Sequence, residues 1–597
     1  MSNGKNGNSN VTTFSVMAKA LATIFRRMWF IFVLLFMTAV GVTLLELVPP
    51  LLLKNIVDNY LNVHLASGIW TAATLYLLAS LGTGSLGFVQ VFITTYIGQH
   101  VLLELRLLMA EHLTKLPISY YNRTPVGETM SRVTSDVDAV NTLFTSGITS
   151  ALADAFKVIG VVIAMYVISP TLCLIALAAV PVVYLVADYF RRNIYRTQLM
   201  VRRAVGVINT FLQEIFNGMK IVKTYGREEQ YDAYFQDPLK SHLKAINHAA
   251  VYESYFPCVT QVIRAATIAL VLWVGARTGL NDRVAITIGG LAAMADLMTR
   301  LFTPIEALSQ EFQTIQRAMS GIRRIVELLQ EKPEEKGNVE HIPSLSLVRG
   351  NNRAVDIKNM SFGYQPGKTI LKNISLSIPQ GKKIAIVGRT GAGKTTLLNL
   401  IAGLYAADTG TISVLGFNPY RVDPVDRREL LGVVPQNVHL FEGTIRENIT
   451  LRDRLISDDD MEKAAKMVGL HDYLMSLDQG YDTLLGVEGT RLSFGQSQLL
   501  SLARAIVSDP ALLLLDEPTS GMDAATEADI FRAFRTVSQD RAIITISHRL
   551  SGIIDADEVH IMASGRIVQS GTPEKLAGES GWYSVFRQLE DLGWKMD

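Results

Sequence analysis

The chain is poor in cysteine, in net charge and, through much of its first half, in charged side chains of either sign. Only two of its 597 residues are cysteine, Cys173 and Cys258, too few for a disulfide framework or a zinc site. Both read as packing residues. The formal net charge is +1, and the basic residues flank apolar stretches instead of gathering on one face, so no nucleic-acid partner is expected. No small-residue cleavage site follows the first apolar run, which Arg26 and Arg27 precede, so it reads as a retained span and not as a removable signal peptide.

What the chain has in excess is apolar residues. They make up 49% of it, and the mean hydropathy is +0.24 even though the second half is polar. Uncharged or nearly uncharged stretches cover residues 28–53, 70–98 and 158–187, with shorter ones around 265–275 and 285–295. A helix needs about 20 apolar residues to cross a bilayer, so 158–187 is too long for one span. It divides at the turn signal Ile168-Ser169-Pro170-Thr171, the upstream helix starting near Thr145, which makes six spans.

Basic residues set the orientation. Arg26 and Arg27 precede span one, Arg191, Arg192, Arg196, Arg202 and Arg203 follow span four, and Arg323 and Arg324 follow span six, so these ends face the cytoplasm. An even number of spans keeps both termini there. The two cytoplasmic connections are each on the order of 50 residues, too long for slack chain, and are expected as helical extensions. Six ionisable residues fall inside spans: Glu46, Asp154, Lys157, Arg264, Asp296 and Arg300. Asp154 with Lys157, and Asp296 with Arg300, have helical spacing and are expected to neutralise each other. Met294 and Met298, one turn apart, read as packing residues that also offer an adaptable surface.

The second half carries the chemistry. Gly388-Arg389-Thr390-Gly391-Ala392-Gly393-Lys394-Thr395 is a phosphate-binding loop between a strand-like run, residues 383–387, and a helix start, residues 395–401. Its glycines let several backbone N–H groups converge on one anion, Lys394 adds positive charge at the β and γ phosphates, and the Thr395 hydroxyl is placed to ligate Mg²⁺. Thr396 follows in the nucleotide-binding segment. Downstream, the apolar run 512–515 ends in Asp516-Glu517, a metal-binding and catalytic pair. These motifs predict ATP binding and hydrolysis.

Between them lies Leu492-Ser493-Phe494-Gly495-Gln496, which resembles the Leu-Ser-Gly-Gly-Gln signature of ATP-binding cassette (ABC) proteins. From about residue 355 to the C-terminus the chain is similar to an ABC nucleotide-binding domain. Tyr364 stands where the family stacks adenine, Gln436 in the Q-loop, Ser520-Gly521-Met522-Asp523 in the D-loop and His548 in the H-loop. The segments 116–128 and 218–229 resemble the two intracellular loops of ABC exporters, whose short coupling helices would fall near 119–128 and 207–216.

The resemblance implies a six-span α-helical membrane domain fused to an α/β P-loop cassette with an antiparallel β subdomain. The expected divisions are a cytoplasmic segment 1–27, a membrane domain 28–322, a linker 323–354 and a cassette 355–597. It implies that Lys394 and the P-loop hold the phosphates, that Thr395, Gln436 and Asp516 hold Mg²⁺, that Glu517 is the general base, and that His548 contacts the γ-phosphate. In the family Ser493, Gly495 and Gln496 serve the nucleotide of a second cassette, so a chain with one cassette implies a second half-transporter, identical or homologous. Phe494 replaces a signature glycine, Glu488 is offset by one residue from its usual exporter position, and Ser497 stands where Lys or Arg is common. The expected activity is ATP-driven export of a drug, lipid or peptide across the bacterial inner membrane. The alternative is a membrane-tethered ATPase acting as a regulator or gated channel.

Overall fold

The structure, a computed structural model, describes residues 6–61, 68–279, 286–335, 337–342, 352–486, 489–518, 524–538, 541–547 and 556–591. The chain forms two compact units, Met1–Leu116 with Thr124–Pro333, and Pro117–Arg123 with Glu334–Asp597.

The first unit is helical. Its elements are α1 (Asn6–Asn55) and α2 (Ile69–Thr114), and, after α3 (Ile118–Arg123), α4 (Val126–Ser131), α5 (Val137–Thr142), α6 (Thr149–Ile168), α7 (Pro170–Thr224), α8 (Glu228–Gly279) and α9 (Ile288–Leu329). Five stretches among the described residues are long and apolar enough to cross a membrane: Arg26–Tyr60, Ile69–Thr114, Val126–Ile168, Pro170–Thr224 and Glu228–Arg277. The sixth expected span falls on α9, whose apolar sequence is interrupted by Asp296, Arg300, Glu306 and Glu311. The helix expected to start near Thr145 instead runs back to Val126, because two π-turns, Arg132–Asp136 and Leu143–Ile148, join α4, α5 and α6 without a break.

The turn at Ser169 forms as its residues dictate. Ser169 is extended, its hydroxyl accepts from the Leu172 N–H at 3.4 Å, and Pro170 fills the first helical position, where no N–H is needed. At about 1.5 Å per residue the 55-residue α7 is far longer than the ~30 Å apolar thickness of a bilayer. The short second coupling helix expected near 207–216 is absent as a separate element. Those residues lie inside α7, which contains no stop signal there, and the chain reverses at Tyr225–Arg227, where Gly226 takes the left-handed φ of 59° that ends helices.

The core of this unit includes Val161, Met165, Leu172, Cys173, Val271, Met294, Leu297, Met298 and Phe302. Met294 and Met298 are fully buried and serve packing. Cys173 is buried, Cys258 is exposed, and both are free thiols. Of the expected ion pairs, Asp296 and Arg300 do meet, at 3.1 Å. Lys157 does not pair with Asp154; its Nζ lies 2.7 Å from Glu46 on α1, a partner that helical spacing alone does not reveal.

The second unit is built on a six-stranded sheet. Its strands are β1 (Arg353–Phe362), β2 (Leu371–Pro379), β3 (Lys383–Val387), β4 (Thr409–Val414), β5 (Leu431–Val434), β6 (Gly443–Thr444), β7 (Leu484–Leu485), β8 (Leu512–Asp516), β9 (Ala542–Ile546), β10 (Glu558–Ala563) and β11 (Arg566–Gly571). The main sheet has the order β11-β10-β3-β9-β8-β5, parallel except for the β11 edge, and β1 pairs antiparallel with β2 and β4 in a smaller sheet. β8 is buried throughout, and so is β3 except for Lys383, as expected for strands covered on both faces. Parallel pairing through β9 brings the carboxyl ends of β3 and β8 to one edge, where ligands bind in such sheets.

Candidate functional site

The loop after β3 is shaped by its glycines. Gly388 has φ 154°, and a Cβ there would sit 2.2 Å from the Met562 carbonyl oxygen, so only glycine fits without moving backbone. Gly393, at φ 101°, is the left-handed cap of the helix Lys394–Ile401. Between them Arg389, Thr390 and Gly391 are exposed, while Ala392 is buried and its N–H donates to the Arg389 carbonyl at 3.0 Å. The result is a helix N-terminus preceded by a glycine-rich turn, the arrangement that binds phosphate.

Lys394 is buried, and its ammonium donates to the carbonyls of Gly388 at 2.9 Å and Arg389 at 3.3 Å. Burial lowers its pKa, and the nearby charges of Glu517 and Asp516 pull it back up. Asp516 is likewise buried; it bonds the Thr395 side chain, and no donor reaches its Oδ1 among the described residues. Burial raises its pKa, the Glu517 charge adds to the rise, and Thr395 and Lys394 oppose it. Glu517 sits in the left-handed region at φ 46°, an uncommon conformation for a side-chain-bearing residue, fixed in part by its N–H donating to Ile546 at 3.1 Å. The Gln436 amide donates to Glu517 Oε2 at 2.8 Å.

The oxygens of Thr395, Asp516 and Gln436 are hard donors, and the orphaned Asp516 Oδ1 is an acceptor awaiting a partner, so this set fits Mg²⁺. Thr396 is buried and accepts from the Tyr364 hydroxyl at 3.3 Å. The Tyr364 ring lies edge-on to Phe362 and to Tyr405, with centroids 5.1 and 5.2 Å away, and remains 45% exposed, leaving a face open.

The signature opens the helix Phe494–Ile506. Ser493 caps it: its hydroxyl accepts from the Gln496 N–H at 3.2 Å while the Ser493 N–H donates to the Gln496 side chain at 2.8 Å. Phe494 is exposed. A Cβ on Gly495 would lie 2.4 Å from the Thr526 methyl, so that glycine lets the helix Ala524–Val537 approach. No hydrogen bond joins Ser493, Gly495 or Gln496 to the P-loop among the described residues. Asp523, His548 and Glu488 lie outside the described residues.

Three contributors carry no motif. Gln498 donates to the Gln436 carbonyl at 3.4 Å and ties the signature helix to the Q-loop. Tyr405 packs against Tyr364, and Asn122 of α3 donates to the Tyr405 hydroxyl at 2.6 Å. Only the position of Asn122 in the segment 116–128 hints at its place.

A P-loop ATPase site and membrane-length helices on one chain define an ATP-driven membrane protein. The chain matches the family model for the ABC transporter transmembrane region over residues 32–305 and the ABC transporter model over 371–520. It is 31% identical over 544 residues to the uncharacterized ABC transporter ATP-binding protein YfiC of Bacillus subtilis, covering 90% of this chain and 88% of that one. It is 30% identical over 567 residues to an ATP-dependent lipid A-core flippase of Photobacterium profundum, covering 94% of each. A solved bacterial Atm1-family ABC exporter with ATP bound superposes with a TM-score of 0.74 at 24% identity, over 95% of this chain and 99% of that one, a likeness of fold. The chain belongs to the ABC transporters, as an exporter half-transporter with its membrane region N-terminal to its ATPase cassette.

Proposed function

We propose that the chain is one half of a dimeric exporter that moves a hydrophobic or amphipathic molecule, a drug, lipid or peptide, across the bacterial inner membrane, with both termini in the cytoplasm. The observation that carries this reading is that a phosphate-binding loop and membrane-length helices lie on one chain. The flippase relative supports a substrate that partitions into lipid. In this reading residues 28–322 form the membrane domain, 323–354 the linker and 355–597 the cassette.

The P-loop N–H groups and Lys394 hold the phosphates, and Tyr364 stacks on adenine. Thr395, Asp516 and Gln436 would hold Mg²⁺, which when bound neutralises phosphate charge. Glu517, oriented by Gln436, accepts a proton from the attacking water, and His548 holds that water in line with the γ-phosphate. Ser493, Gly495 and Gln496, at the N-terminus of a 13-residue helix, and Asp523 of the D-loop complete the nucleotide site of a second, identical or homologous subunit. ATP binding closes the two cassettes and turns the membrane domains outward; hydrolysis resets them.

Reconstitution into liposomes tests this. Labelled lipid or drug is expected to move in one direction only with ATP, and Glu517→Gln is expected to cut turnover by roughly 10² to 10⁴ while keeping ATP bound. Downhill movement without ATP would identify a channel, and ATP turnover with no movement a regulator.

A further inference from the structure

Among the described residues, three ion pairs join ionisable groups of α1, α6, α8 and α9. Lys157 meets Glu46 at 2.7 Å, Arg264 reaches both oxygens of Glu306 at 2.8 and 3.1 Å, and Arg300 meets Asp296 at 3.1 Å. Asp154 on α6 and Glu311 on α9 take part in none of these three ion pairs, and their carboxyl groups lie within hydrogen-bonding reach of one another. Glu311 is only 8% exposed, and no donor reaches its Oε2 among the described residues.

Two adjoining carboxyl groups cannot both ionise unaided; they share a proton or hold a cation between them. Lys157 also faces Asp154 from one turn along α6, but its ammonium is engaged by Glu46, the charged group that faces the pair from α1. Ionisable groups at membrane depth are costly, and a surplus of acids there marks a place where positive charge is received. Val158, one helical turn from Asp154, packs onto the apolar cluster of Val161, Met165, Met294 and Leu297, so apolar surface adjoins the carboxyls.

We propose that the Asp154–Glu311 pair binds a single organic cation, an ammonium, phosphonium or amidinium group on an apolar body, in exchange for the proton the pair shares at rest. One positive charge enters as the proton leaves to water, so the charge of the buried site is conserved and no further ion is desolvated. The inference rests on the exporter reading and names the substrate class it serves.

The test uses two ions of one shape and opposite charge, tetraphenylphosphonium and tetraphenylborate, equilibrated with the purified full-length protein in detergent without ATP. The phosphonium is expected to bind and the borate not, with phosphonium affinity rising up to about tenfold per pH unit while the pair holds its proton, since cation and proton compete for one site. Asp154→Asn and Glu311→Gln, each first shown to elute as a monodisperse protein, are each expected to weaken phosphonium binding about tenfold or more and to flatten its pH dependence. Equal binding of the two ions, pH-independent binding, or unchanged affinity in both variants overturns the site. The liposome assay scores the exporter reading separately: a protein that pumps lipid yet does not discriminate the two ions keeps that reading and loses this site.

Discussion

Asn122 donates from its side-chain amide to the Tyr405 hydroxyl at 2.6 Å, joining residues 283 positions apart within one compact unit. Tyr405 in turn meets the ring of Tyr364 edge-on at 5.2 Å, so the segment Pro117–Arg123 is two contacts from the proposed adenine platform. Tyr405→Phe removes the hydrogen bond, worth about 0.5–1.5 kcal/mol net, and keeps the ring contact. ATP affinity is expected to stay within about twofold of wild type, while substrate stimulation of the ATPase falls severalfold. Unchanged stimulation in reconstituted protein would show that this bond transmits nothing.

The Tyr364 hydroxyl makes one long bond, 3.3 Å to Thr396, whereas its ring keeps an open face. Stacking an aromatic ring on a base contributes about 1 to 3 kcal/mol. Tyr364→Ala is therefore expected to weaken ATP binding by roughly 5- to 150-fold, and Tyr364→Phe to bind nearly as wild type. Nucleotide titration of both variants decides it; an Ala variant that binds like wild type removes the stacking role.

Asp516 predicts a pH signature. Its folded-state pKa is raised above the ordinary 3.8, chiefly by burial and then by the Glu517 charge. From 3.8 up to that raised value the folded chain holds more protons than the unfolded one, so stability falls as pH rises through the window. Above that window the ionised carboxylate thus destabilises the nucleotide-free fold. Asp516→Asn is expected to melt at a higher temperature than wild type at pH 7, with the two converging toward pH 4, and to lose magnesium-dependent turnover by on the order of 10² or more. Identical melting at pH 7 would contradict the argument.

Phe494 bears on the partner. It stands exposed at the first position of the signature helix, so in a homodimer it would enter both composite sites. In a heterodimer it would face only the partner's P-loop, and the residues proposed around Lys394 and Glu517 would be completed by the partner's signature. Magnesium-dependent ATPase of the chain expressed alone, abolished by Lys394→Ala, is expected of a homodimer. A folded, inactive chain rescued by a co-expressed second half-transporter is expected of a heterodimer.

The sequence by itself determined the features whose physics is local. Ser169-Pro170 ends one helix and begins another because a hydroxyl cap and a fixed φ act within three residues. The strands Lys383–Val387 and Ala542–Ile546 are legible as apolar runs, and the loop after the first by its glycine spacing, since left-handed backbone is a property of single residues. Tertiary structure alone decided the pairings between distant segments. Lys157 lies one helical turn from Asp154 yet pairs with Glu46, because α1 brings that carboxylate to it. Glu311, passed over in the sequence, is significant only because α6 and α9 set it beside Asp154. Gln498 and Tyr405 belong to no motif and join the site through contacts across the fold. Residues 207–216 carry no stop signal, so the end of α7 falls where Gly226 permits the turn. Spacing along a chain governs what one helix or loop can do, whereas the partner of a buried charge depends on which helix packs against it, and that is settled only when the chain has folded.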